Sequence, residues 1–235
     1  MPPKAKRKSI HEIGDDYFKR TGQLLVNAGR SRKKKPKTPS VPQMTLPPGL
    51  GPDGNPPKNP HFRQLYWYDP ARHNPKVLVV GAGGIGSWLV PQLVKLGVRE
   101  ITVYDHDKVA THNLSTTSFV LADVGKPKVK ALAVRVVGMG GPKIKAIPKR
   151  FTGKESLKGY DIVISASDSL EARRLLFESA VKQKIPFLID GRIGGEEIRI
   201  FSIRPTDRQD REFYKKSVSK RLIPAVLPCV AQQVT

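Results

Sequence analysis

The sequence predicts an α/β protein built on a doubly wound, mostly parallel sheet with an antiparallel extension. Three observations predict it. The uninterrupted apolar run Val77 to Val80 runs straight into a glycine-rich turn and an apolar-periodic helix. Further short apolar runs then alternate with helical periodicities. The last run, Glu197 to Ile203, instead places Ile198 and Ile200 at every second position, as an antiparallel strand does. A strand apolar on both faces needs cover on both faces, and right-handed strand–helix–strand crossovers supply it.

In chain order, residues 1–60 read as a disordered basic tail and linker. Two clusters, Lys4–Lys8 and Arg30–Lys37, flank a weak helical pattern broken by Gly14 and Gly22, and residues 36–60 are crowded with proline and glycine. Residues 61–235 read as one domain, with Leu65, Tyr66, Trp67 and Tyr68 expected to cover an edge of the sheet. Strand Val77 to Val80 leads to a helix from about Ile85 to Leu96, with Trp88, Leu89, Leu93 and Leu96 in helical spacing and Gly97 closing it. Strand Glu100 to Tyr104 and a loop to Ser118 follow, then a helix opening near Asp123–Lys128. Strands are expected at Ile144–Ile147, Asp161–Ser165 and Phe187–Asp190, with an amphipathic helix at Leu170–Val181 between the last two.

The net charge of +22 is densest in the first third of the chain and favours polyanionic partners, nucleic acid among them. One cysteine, Cys229, excludes an internal disulfide framework. No apolar run approaches the length of a membrane span and no secretory leader is legible, so an intracellular, cytoplasmic protein is expected.

Gly81, Gly83 and Gly86 stand in the spacing G-x-G-x-x-G, with Gly84 between them. Glycines there let the chain turn sharply and let a phosphate approach the N-terminus of the following helix. Asp105, about twenty residues further on at a strand end, is placed to take ribose hydroxyls. These features make the sheet Rossmann-like and predict a nucleotide site. The alternative is a tight turn that needs small residues, which explains one glycine well and four in six residues poorly. Asp105, Asp168 and Asp190 all fall at or just past strand ends, where ligands of such sheets bind. As structural alternatives, Lys128 could be a solvated first-turn residue and Asp168 the N-cap of the next helix.

The ordered set GAGGIGS, DHD at 105–107, Asn113, VGKPKV at 124–129 and SDSLEAR at 167–173 resembles the adenylating family related to ubiquitin-activating enzymes (ThiF/HesA/MoeB type), over about residues 76–205. The resemblance implies that ATP and Mg2+ adenylate a carboxylate, commonly the C-terminal glycine of a ubiquitin-like or sulfur-carrier protein. It assigns Gly81, Gly83, Gly84, Gly86, Asp105, Asp107 and Asn113 to the nucleotide, Lys128 to the phosphates, Asp168 to magnesium and Arg173 to the catalytic set. It also implies a homodimer or pseudo-symmetric heterodimer. A tRNA-modifying member, suggested by Gly86-Ser87-Trp88 and the basic charge, and an inactive nucleotide-binding scaffold are the alternatives. Thr116 stands where the family usually has a phosphate-binding arginine, so Lys126, Arg192 or a partner's cation could substitute. The paired C-x-x-C zinc motifs of many members are absent, and the family usually continues further, which suggests a truncated or minimal version. The apolar neighbours of Cys229 favour a structural thiol over a thioester nucleophile, and with no third ligand type evident a metal between His106 and His112 is not expected.

Overall fold

The computed structural model describes residues 60–218 apart from 62–63, 66–67 and 195–196. The basic tail, Tyr66, Trp67 and Cys229 lie outside the described residues. Among the described residues six strands form one sheet: β1 (Val77–Val80), β2 (Ile101–Tyr104), β3 (Lys145–Ile147), β4 (Ile162–Ser165), β5 (Phe187–Gly194) and β6 (Glu197–Ile203). Their order across the sheet is β3-β2-β1-β4-β5-β6, parallel except for the β5–β6 pair. Strand order reverses direction between β1 and β4, and that crevice, at the carboxyl ends, is where an α/β sheet takes a ligand.

The helices α1 (Gly86–Leu96), α2 (Lys128–Gly138), α3 (Leu170–Lys182) and α4 (Arg208–Val218) complete the fold. Strand β1 is apolar throughout because its side chains feed two cores. Val77 and Val79 pack with Val90 and Val94 of α1 and with Val129, Leu132 and Val136 of α2. Leu78 and Val80 pack with Leu176 and Phe177 of α3 and Tyr214 and Val218 of α4. The buried stripe of α1 is Ser87, Val90, Pro91 and Val94. Trp88, grouped with the apolar stripe by its spacing, is 54% exposed. Gly97, at φ 101, ends the helix in the left-handed conformation, with the Val98 N–H reaching back to the Leu93 carbonyl. The described part of the 61–70 segment packs at this helix end, where Gln64 donates to the Leu96 carbonyl, and not along the sheet edge as expected.

One further expectation holds and another changes. Ile198 and Ile200 do share a face, beside Ile193 across the β5–β6 ladder, but each is 70% exposed. Helix α4 has no apolar stripe in its sequence beyond Tyr214 and Val218, and a polar anchor holds it instead. Asp190, expected on the ligand side, is fully buried between β5 and α4. One of its oxygens accepts from Arg173 Nη1, and the other accepts from Arg192 Nε at 2.7 Å and Tyr214 Oη at 2.9 Å. Arg192 continues to the carbonyl and hydroxyl of Ser217 and lies over the rings of Phe201 and Tyr214. Burial, and then repulsion from Arg192, lower the Arg173 guanidinium to about 10, with Tyr214 and Asp168 opposing the shift. It remains charged at neutral pH, so the node buries two cations on one carboxylate.

Asp190→Asn should therefore be severe, because it leaves two desolvated guanidiniums without a counter-charge. The expected loss is about 3–5 kcal/mol in chemical denaturation. A loss under about 1 kcal/mol would mean that water reaches the node and that α4 is held by its apolar contacts alone.

Candidate functional site

The glycine turn is built from backbone approaches that no side chain would permit. Gly81 has φ 106, and a Cβ there would lie 2.5 Å from the Ala166 carbonyl oxygen at the end of β4. A Cβ on Gly86 would collide with the Gly81 carbonyl. These two glycines pack the turn between α1 and β4. Gly83 is different: a Cβ on it would meet nothing within 4 Å, and one on Gly84 would meet only the Thr116 carbonyl at 3.5 Å. The turn thus has a packed side and an open side. Helix α1 begins there with no side-chain cap and no acid in its first turn; the Ser87 N–H donates to the Gly83 carbonyl and those of Trp88 and Leu89 to Ile85, so what the turn offers an anion is the positive end of the helix dipole.

Asp105 closes the site from β2. Its Oδ2 accepts the Ala82 N–H at 2.7 Å and its Oδ1 accepts the Asp107 N–H at 2.8 Å. Each carboxylate oxygen keeps a lone pair for a further donor such as a ribose hydroxyl. Residues 107–109 are stapled to the entry of α2: the Lys128 N–H donates to the Asp107 carbonyl at 2.9 Å and the Val109 N–H to the Lys126 carbonyl at 2.9 Å. This staple buries Lys128 at the start of α2, with Nζ 2.9 Å from Asp107 Oδ2. The reading of Lys128 as a solvated residue does not hold. Partial burial pushes the Asp107 carboxyl up, but the Lys128 hydrogen bond and charge, with His106 and Arg150, outweigh it and hold the group below the usual carboxylate range.

Asn113 organises the facing loop. Its Oδ1 accepts the Ala110 N–H, and its carbonyl accepts from Thr116 N and from Thr117 N and Oγ1. The Asn113 amide NH2 has no hydrogen bond to the described residues. Thr116 lies beside Gly84, and its carbonyl accepts from Trp88 Nε1 at 3.4 Å. Across the crevice, the α3 N-cap is Ser169, whose Oγ accepts the Ala172 N–H at 3.3 Å. Asp168 is exposed just past β4 and has no capping role, contrary to the alternative reading of its position.

Two sequence-based candidates, Arg173 and Arg192, are engaged within the buried node. Arg173 Nη1 is taken up by Asp190 and the Gly191 carbonyl, which ties the first turn of α3 to β5. Arg192 is bound within the same node and does not stand in for the arginine missing at Thr116. Lys126 is largely exposed, 3.9 Å from Asp123. The ligand atoms of Asp105, His106 and Asp107 lie within 4.8 Å of one another. They are already committed to the Ala82 and Asp107 amides, to Arg150 at 2.9 Å and to Lys128, and those two cations oppose a metal there. His112 is not part of the group. Arg150, which no motif marks, and the buried Ser87–Ser118 pair are what sequence reading missed.

A family model described as "ThiF family" matches residues 71–214. The chain belongs to the ThiF family. Among ThiF relatives, the tRNA threonylcarbamoyladenosine dehydratase of Escherichia coli is 30% identical over 51% of this chain and 47% of its own length. The SAMP-activating enzyme E1 of Haloferax volcanii is 35% identical over 50% of this chain and 45% of its own. A crystal structure of the E. coli tRNA N6-threonylcarbamoyladenosine dehydratase in complex with AMP superposes with a TM-score of 0.52 at 27% identity, covering 57% of this chain and 58% of that one. The chain spans about half the length of the curated relatives it matches. No helix among the described residues is long and apolar enough to cross a membrane.

The Asp107–Lys128 pair gives a pH test. Because the folded-state value of Asp107 is depressed, its contribution to stability is present above the unfolded value near pH 4 and is lost as pH falls through the folded value. Asp107→Asn should flatten the acid limb of the stability profile below about pH 4. An unchanged acid limb would mean that the pair is open in solution.

Proposed function

We propose that this chain carries out ATP-dependent adenylation of a carboxylate, and that the carboxylate is that of N6-threonylcarbamoyladenosine in tRNA. One observation carries the nucleotide part. The turn is open at Gly83, three residues before an α1 that starts with no side-chain cap, and Asp105 is tied to the neighbouring Ala82 amide. That cradle fits a phosphate chain, with the ribose toward Asp105. The tRNA dehydratase crystallised with AMP and the net charge of +22 favour the RNA substrate over a ubiquitin-like or sulfur-carrier C-terminus, which the SAMP-activating relative keeps as the second reading.

The chemistry suits the residues. A carboxylate oxygen attacks the α-phosphorus, the α–β P–O bond breaks and pyrophosphate leaves. In a later step a nucleophilic N–H or O–H of the threonylcarbamoyl group itself attacks the acyl carbon and gives up its proton, and AMP leaves with the carboxylate oxygen, so a ring closes with net loss of water. Two anions must meet, so charge has to be neutralised in a fixed geometry. In this reading Lys128 turns from Asp107 to the phosphates and the Asn113 amide supports them; Asp168 is the carboxylate that would hold Mg2+, which would supply further neutralisation of phosphate charge. Thr116 offers one hydroxyl, and Lys126 is the nearby chain cation free enough to assist. Residues 1–60 serve as a basic arm for RNA, and the protein works in the cytoplasm as a dimer.

The Gly83 position separates binding from folding. Gly83→Val should keep the thermal midpoint and abolish ATP binding in calorimetry, because the added side chain fills only the open space. Tight NAD binding by the parent chain without ATP binding would overturn adenylation.

For the catalytic step, Asp168→Asn should lower pyrophosphate exchange by about a hundredfold with normal folding. The substrate is settled by comparing exchange and AMP release with tRNA carrying threonylcarbamoyladenosine, the same tRNA lacking it, and a Gly-Gly-ended carrier protein. Stimulation by the carrier alone would select the second reading.

A further inference from the structure

Pro91 sits in the middle of α1 and is buried. A proline inside a helix cannot donate to the carbonyl four residues earlier, and its ring crowds that carbonyl. The carbonyl deprived here is that of Ser87, in a residue with no solvent exposure. A buried carbonyl without a partner is costly, so α1 requires a donor from outside itself. Ser118 is that donor: its Oγ lies 2.8 Å from the Ser87 oxygen, and its own N–H donates to Ser87 Oγ at 3.1 Å. The two serines, thirty-one residues apart, form a reciprocal buried pair.

The pair sits at the end of the loop that faces the glycine turn. Asn113, Thr116 and Thr117 are bonded into one unit that ends at Ser118. The Thr116 carbonyl is the atom that a Cβ on Gly84 would meet, at 3.5 Å, and Trp88, next to Ser87, donates to it. We propose that Pro91, by disarming the Ser87 carbonyl, clasps Ser118 to α1 and so sets the gap between the 113–118 loop and the phosphate cradle. Ser118 and Ser87 are positioning residues for the nucleotide. The inference rests on the ATP reading above for its functional consequence, but not for the clasp itself.

The test uses the full chain and two variants, Ser118→Ala and the double variant Ser118→Ala/Pro91→Ala. The single variant orphans the Ser87 carbonyl and keeps only the N–H of residue 118 on Ser87 Oγ, whereas the double variant gives α1 back its own N–H donor without restoring the hydroxyl half of the tether. Thermal midpoint, calorimetric affinity for ATP and hydrogen exchange of the 114–118 amides are measured on each. Ser118→Ala should lower the midpoint and weaken ATP binding about tenfold, the order of one lost positioning hydrogen bond. The double variant should recover the midpoint while ATP binding stays weak and the loop amides exchange faster than in the parent. Recovery of affinity together with the midpoint would overturn the proposal, leaving the pair a stability contact only. So would binding within twofold of the parent in Ser118→Ala. If the parent itself binds no ATP, the function proposed above fails, and exchange decides the clasp: faster loop exchange in both variants supports it, and unchanged exchange refutes it.

Discussion

The fold turns on how closely backbone can approach backbone at the first crossover. Gly81 lies against the Ala166 carbonyl and Gly86 against that of Gly81, so β1, β4 and the start of α1 meet at a distance no side chain allows. Everything at the carboxyl end of the sheet is located by that contact. Asp105 can reach the Ala82 amide because β2 ends level with β1. Asp168 emerges on the opposite lip because β4 does the same. The packed glycines and the open one divide the labour: Gly81 and Gly86 hold the turn, and Gly83 leaves room beside it.

Much of this was legible in sequence, for a physical reason. A strand buried on both faces has only apolar residues to offer, so β1, β4 and the start of β5 announce themselves. The spacing from the glycines to Asp105 is fixed by one helix and one strand of ordinary length. What remained hidden depends on partners distant in sequence. Asp190 reads as a strand-end carboxylate whether it meets a ligand or the two arginines it binds. Helix α4 was illegible because a polar node holds it, and Tyr214 and Val218 alone make no stripe. Ser118 gives no local signal, since its importance is created by a proline twenty-seven positions earlier. Trp88 shows the opposite error, a large apolar side chain in helical register that nonetheless faces outward.

Charge is distributed by function as well as by amount. The buried node carries more positive than negative charge, and Asp168, exposed nearby, is electrostatically felt by Arg173. On the other side of the crevice Lys128 is paired with Asp107. In the resting protein, therefore, the lysine ascribed to catalysis already faces an opposite charge from the protein itself. A buried lysine balanced in this way costs less to keep, and redirecting it requires a stronger anion to arrive.

The two margins of the sheet differ in what they would accept as a neighbour. Strand β3 is three residues long, and Lys143, Lys145 and Lys149 cluster on and around it, a combination that discourages another strand from joining. Strand β6 is seven residues long, and no described strand pairs with its outer edge. Its Ile198 and Ile200 continue the exposed face begun by Ile193. The sheet is consequently polar in its capacity for growth. Extra strands, whether supplied by a longer chain or by another molecule, would join beyond β6, leaving the β3 margin and the Lys128 side of the crevice undisturbed.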